Sequence, residues 1–200
     1  MKNIKKVLIV DTKAGNLFSL DAALKRLGFE VSILPKPPTE DFDAVVIPGQ
    51  GRFGTVLSNL REANWPAYFE NCRQQQKPMF GICVGMQIFF ESSEEDSGVK
   101  GLGWFKGGAE ALQFPKKPMV GWADLDTIGR ASTWPEEPVY FVNSFAVRSS
   151  KYAIAKTEYG ENFCAAVAKD NFVGVQFHPE KSAECGAEII RQSLTNGEAQ

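Results

Sequence analysis

Met79-Phe80-Gly81-Ile82-Cys83-Val84-Gly85-Met86-Gln87 is an apolar run that ends in Gly-x-Cys-x-Gly. The run has the length of a buried strand, and two glycines bracket a cysteine where such a strand would turn sharply into a helix. A residue at that turn is held in a strained backbone conformation, and bulky neighbours would collide there, so small residues flank it. The pattern reads as a cysteine nucleophile elbow at the carboxyl edge of a parallel sheet. Cys83 would then stand over a helix amino terminus, whose partial positive charge favours the thiolate. Free cysteines are most often small packed hydrophobes; Cys72, Cys164 and Cys185 lack this setting and are assigned to packing or surface.

Outward from the elbow the chain alternates between two periodicities. Upstream, strands are expected at Val7–Val10, Val31–Leu34 and Ala44–Ile47, and helices at Asn16–Leu27 and Trp65–Gln76, with Gly28 stopping the first helix. This βαβ repetition predicts an α/β fold with a mostly parallel central sheet and helices on both faces. From about Gly107 the segments become short and are bounded by glycine, proline and acidic turns: Ala109–Phe114, Val120–Leu125, Val139–Phe145, Ile154–Thr157, Ala165–Ala168 and Val173–Phe177. They read as additional antiparallel strands, followed by a closing helix at Ala183–Leu194. With 200 residues, 44% of them hydrophobic, the chain can bury one core, and a single domain over 1–200 is expected.

Composition narrows the function. The 22 basic and 24 acidic residues are interspersed and leave a net charge of -2, which argues against nucleic acid. The apolar run near the start breaks at Asp11, too soon for a secretion signal or the ~20 residues that span a bilayer, so a cytoplasmic chain without membrane contact is expected. The 4 cysteines form no Cys-x-x-Cys pair and only 1 histidine could join them, so neither a metal nor another cofactor is expected.

That histidine lies in Phe172-Val173-Gly174-Val175-Gln176-Phe177-His178-Pro179-Glu180, a strand ending in His-Pro-Glu. Residues two apart in extended chain point to the same side, so His178 and Glu180 can hydrogen-bond while Pro179 stiffens the link. Cys83 as nucleophile, His178 as base and Glu180 as its orienting carboxylate make a catalytic triad. A lone histidine is normally a satisfied structural residue, but a buried strand before it and a carboxylate two residues on favour catalysis. A third element, Val45-Val46-Ile47-Pro48-Gly49-Gln50-Gly51-Arg52-Phe53-Gly54, is a strand followed by a glycine-rich turn. Attack on an amide creates an oxyanion that needs backbone N–H donors. The expected donors are Val84 N–H and an N–H of the Gly49-Gln50-Gly51 turn. A phosphate loop is disfavoured because no Gly-Lys-Ser/Thr follows.

These three motifs, in this order, resemble the triad-type glutamine amidotransferases over essentially the whole chain, and most of all the branch that serves histidine biosynthesis. Ala14-Gly15-Asn16-Leu17, Ser93-Glu94-Glu95, Gly121-Trp122, Tyr140-Phe141-Val142-Asn143-Ser144 and the extension Lys181-Ser182 add to the likeness. The resemblance implies a flavodoxin-like amidotransferase fold and hydrolysis of L-glutamine through a cysteine thioester. It implies that Gly51, Gln87, Glu95, Ser144 and Phe145 hold glutamine's α-amino and carboxylate groups. It also implies a heterodimer with a (β/α)8 cyclase, docked near Asn16, Trp122 and Lys181, that receives the ammonia and controls an oxyanion turn. The chain departs from the family pattern at Met119, Asn143 and Arg52, where histidines are common, which leaves His178 as the sole imidazole. The catalytic motifs alone also fit a subunit serving a sugar, aminobenzoate or nucleotide synthase, or a stand-alone γ-glutamyl hydrolase or cysteine peptidase. A non-catalytic module of this fold is disfavoured by the intact Cys83, His178 and Glu180.

Overall fold

A computed structural model describes residues 4–15, 17–114 and 116–195. Strands β1 (Lys6–Val10), β2 (Glu30–Leu34), β3 (Ala44–Ile47) and β4 (Met79–Ile82) alternate with helices α1 (Phe18–Arg26), α2 (Phe53–Glu62) and α3 (Trp65–Gln74). The second half supplies short strands β5 (Ser92–Ser93), β6 (Gly108–Ala111), β7 (Met119–Ala123), β8 (Asp126–Thr127), β9 (Val139–Asn143) and β10 (Phe145–Ala146). It then adds β11 (Ala153–Glu158), β12 (Asn162–Lys169) and β13 (Phe172–Val175). A single helical turn α4 (Val84–Gln87) follows the elbow, and α5 (Ala183–Thr195) closes the described chain.

An eight-stranded sheet runs in the order β2-β1-β3-β4-β13-β12-β11-β8. Pairing is parallel from β2 through β13 and antiparallel from β13 to β8. The parallel part has the flavodoxin-like order, with β13 as its fifth strand. This corrects the antiparallel reading of Val173–Phe177: β13 pairs antiparallel with β12 but parallel with β4, in the register Val175↔Ile82. Every residue of β3, β4 and β13 is buried, as strands covered on both faces must be. Helix α1 packs against α5, while α2 packs against α3 and α4. Beyond β4, the rings of Phe89, Trp104, Phe105 and Phe172 form one contact cluster. It anchors the crossover into the second half to the start of β13.

Helix α2 is absent from the expected elements although Phe53, Val56, Leu57 and Leu60 carry helical spacing and are all buried. The glycine-rich turn just before it, with Gly54 in its first turn, obscures its beginning. Asn16, expected to begin α1, lies outside the described residues, and α1 opens two residues later at Phe18.

Backbones approach closely where the site is built. A methyl on Gly81 would stand 2.5 Å from the Gly85 carbonyl oxygen, and one on Gly85 would run into the Ile47 carbonyl. The two glycines of the elbow thus serve different contacts, one across the bend and one against β3. Gly85→Ala is expected to destabilise the fold by about 3 kcal/mol through this backbone clash. A melting temperature lowered by roughly 6–12 °C, read by circular dichroism, would be the sign; an unchanged melt would refute the packing argument.

Candidate active site

Three neighbouring parallel strands deliver the chemistry at their carboxyl ends. The Gly49-Gln50-Gly51 turn follows β3, Cys83 follows β4, and Gln176-Phe177-His178 follows β13. Ligands of open α/β sheets bind at this edge. Cys83 has φ 54° and ψ −114°, the strained elbow conformation, and its N–H donates to the Val175 carbonyl at 2.7 Å. This bond ties the bend to the strand that carries the histidine. The helix behind it is only Val84–Gln87, a single turn, so the expected stabilisation of a thiolate by a helix dipole is small. The groups around the sulfur matter more.

His178 is extended (φ −106°, ψ 90°) and its N–H donates to the Tyr140 carbonyl at 2.8 Å. The expected extended His-Pro-Glu link is not what forms: Pro179–Lys181 is a 3₁₀ turn. Because His178 itself stays extended, the contact survives, and His178 Nδ1 lies 2.8 Å from Glu180 Oε1. Both side chains are buried, at 7% and 3% exposure. Ser182, given no role by the sequence, pins this segment by donating to the His178 carbonyl at 2.7 Å and accepting from Tyr140 N–H at 3.0 Å. Burial drives the His178 pKa down, but hydrogen bonds and charge from Cys83 and Glu180 outweigh it and push it up to about 10. The imidazole thus sits between the sulfur and the Glu180 carboxylate, both of which favour its holding a proton.

Cys83 and His178 line a cavity of about 360 Å³, at the small end of ligand sites. Gly49, Gln50, Gly51, Val84, Gln87, Glu95, Ser144 and Phe145 line it as well. Lys181, expected at the partner face, also lines it, with its ammonium 5.9 Å from the centre of the Tyr140 ring. Tyr140 in turn packs edge-on against Trp122 at 5.6 Å, so these side chains connect the cavity to an outer face. Trp122 itself is outside the cavity and 54% exposed. Glu180 stands behind the imidazole and does not line the cavity.

The expected oxyanion donors are not assembled. Val84 N–H donates to the Gly49 carbonyl at 3.4 Å, so the turn presents an acceptor where an N–H was expected. A resting turn satisfies its own backbone groups, and nothing in sequence distinguishes the two orientations of a peptide plane. Glu95 is likewise partly committed: its Oε2 accepts from Phe53 N–H at 2.8 Å, and the neighbouring Asp96 accepts from Gly54 N–H at 2.9 Å and Arg52 at 2.6 Å. The acidic turn thereby caps helix α2 and fixes the end of the glycine-rich turn. Among the described residues, Gln87 Oε1 and Asn143 Oδ1 are buried without a partner, and both side chains belong to the cavity wall. Asn143 and Gln176 entered the sequence reading only as members of segments resembling the family, Asn143 also as a departure from it, and neither was given a role.

A family model described as glutamine amidotransferase class-I matches residues 8–196. A curated relative from Thermus thermophilus, named imidazole glycerol phosphate synthase subunit HisH, is 38% identical over 187 residues, covering 92% of this chain and 94% of its own. One of the same name from Bacteroides thetaiotaomicron is 40% identical over 200 residues, covering 94% and 98%. A solved structure described as a glutamine amidotransferase shares the fold with a TM-score of 0.77 at 20% identity, over 95% of this chain and 98% of that one.

With 1 histidine in the sequence, the imidazole can be followed by NMR without assignment. Its signals are expected to titrate near pH 10, and at lower pH in Glu180→Gln and in Cys83→Ala, each of which removes one group that holds the proton. Since the folded value lies above the ordinary 6.5, the stability this proton contributes is complete below about pH 6.5 and is lost as pH rises towards 10. A wild-type titration near 6.5 would refute the ion-paired reading.

Proposed function

The chain belongs to the glutamine amidotransferase class-I family, and from that premise we propose that it hydrolyses L-glutamine and passes the ammonia to a (β/α)8 cyclase that makes imidazole glycerol phosphate in histidine biosynthesis. The observation that carries the reading is that Cys83 and His178 share one cavity while Glu180 holds the imidazole from behind at 2.8 Å. Relatives named as subunits of imidazole glycerol phosphate synthase favour this partner over a sugar, aminobenzoate or nucleotide synthase.

In the proposed reaction Cys83 Sγ bonds to the side-chain amide carbon of glutamine, and the oxyanion is received by backbone N–H groups at Val84 and the Gly49-Gln50 turn. The imidazolium of His178 gives its proton to the departing nitrogen, the C–N bond breaks, and ammonia leaves behind a thioester. Water then attacks the thioester, His178 takes a proton from it, and the C–S bond breaks to release glutamate and the Cys83 thiolate, which restores the starting pair. Glu180 keeps the imidazole oriented and favours its charged form. Gly51, Gln87, Glu95, Ser144 and Phe145 hold the α-amino and carboxylate groups; the free oxygens of Gln87 and Glu95 suit an ammonium.

The Gly49 carbonyl against Val84 N–H supports a resting state of low activity, which ends when the peptide turns over and donates. The cyclase would bring this about by docking over Trp122, Lys181 and the neighbourhood of Asn16. Val120 and Trp122, exposed by 55% and 54% on β7, offer it an apolar face. Ammonia is nucleophilic only when unprotonated, and passage into a docked partner keeps it from bulk water. The cytoplasm suits such a step, and no described helix is long and apolar enough to cross a membrane.

Glutamate formation is expected to be slow for the chain alone, to rise at least tenfold with the cyclase and its ribonucleotide ligand, and to vanish in Cys83→Ala. Equal turnover by Cys83→Ala, measured with a coupled glutamate dehydrogenase assay, would end the proposal. Stimulation by some other synthase in place of the cyclase would redirect it.

A further inference from the structure

Gln176 is completely buried and its side-chain Nε2 donates to Cys83 Sγ at 3.5 Å. The direction of that contact follows from its neighbours. The Phe145 carbonyl can only accept, so the Gln87 group 3.1 Å from it is the nitrogen, Nε2. The same Nε2 donates to Gln176 Oε1 at 2.9 Å, which leaves Gln176 no choice but to turn its own N–H towards the sulfur. A backbone carbonyl thus orients two amides in series, ending at the nucleophile.

The geometry points to Gln176 as a positioning residue that holds the Cys83 sulfur, linked through Gln87 to the wall of the glutamine cavity. The inference rests on the glutaminase reading for its purpose but not for its test. The resting sulfur also faces the Val142 carbonyl at 3.9 Å, an acceptor that suits a thiol and opposes an anion. His178 offers a proton that it must give away during the reaction. The Gln176 N–H cannot be transferred, so it opposes the Val142 carbonyl throughout the cycle and keeps the sulfur aimed into the cavity. Contact between a bound substrate and Gln87 Oε1, which has no partner among the described residues, would polarise the same chain of bonds.

The test is alkylation of the full-length chain by iodoacetamide at pH 7, followed residue by residue by peptide mass spectrometry. Gln176→Met, of similar volume and without a donor, is expected to slow modification of Cys83 about tenfold, the scale of one hydrogen bond to a charged group. Cys72, Cys164 and Cys185, all buried, report any general loosening by reacting faster. The double variant Gln87→Met, Gln176→Met removes both amides together and is expected to regain stability while Cys83 stays slow. If Gln176 only satisfies Gln87 in the core, the double variant will instead alkylate at the wild-type rate, and the inference is overturned. A protected Gln176→Met that reacts as fast as wild type overturns it equally. Alkylation needs no glutamine, so failure of the wild type to hydrolyse glutamine with its cyclase would sink the proposed function and leave this result legible.

Discussion

The parallel pairing of β13 with β4 is the constraint on which the site depends. Their register sets Val175 beside Ile82, and both strands then leave the sheet at the same edge, about 4.8 Å apart. Cys83 and His178, far apart in the chain, become neighbours because they lie one and three residues beyond these adjacent strand ends. The bond from Cys83 N–H to the Val175 carbonyl extends the ladder past the last paired residues and secures the bend itself. A slip by one residue would reverse the faces of Gln176 and His178 and leave the sulfur without either.

Holding a nucleophile in a strained conformation requires that everything around it be unable to relax. Here the restraint is steric as well as hydrogen-bonded: Gly81 and Gly85 let the bend close on itself and on β3, where any side chain would strike backbone. Behind this bend, the cluster of Phe89, Trp104, Phe105 and Phe172 joins the crossover to the strand that brings the histidine. Burial of these rings supplies directionless stability, and the glycines determine how closely backbones can approach. Neither alone would place a sulfur, an imidazole and two amides around one cavity.

The glycine-rich turn after β3 is the part of the site least committed to one arrangement. Its far end is clamped by Glu95 and Asp96 at the start of α2, while its near end spends a carbonyl on Val84 N–H through a long, weak bond.

Much was legible in the linear chain because strands buried on both faces are continuous apolar runs, and β3 was read to its observed ends. The elbow, with its need for small neighbours, and the His-Pro-Glu segment also declare themselves locally. Helix α2 carried the right spacing but was hidden behind glycines, and the parallel half of β13's pairing could not be seen, since a strand buried between two others reads the same whichever way they run. What the sequence by itself determined was the set of chemical groups and the short-range geometry around each. The tertiary structure alone decided which carbonyl faces Val84, which way the amides of Gln87 and Gln176 point, and that Glu180 reaches the imidazole from a 3₁₀ turn. Those outcomes depend on contacts between residues far apart in the chain, and hydrogen-bond direction is settled only when every donor and acceptor nearby has been placed.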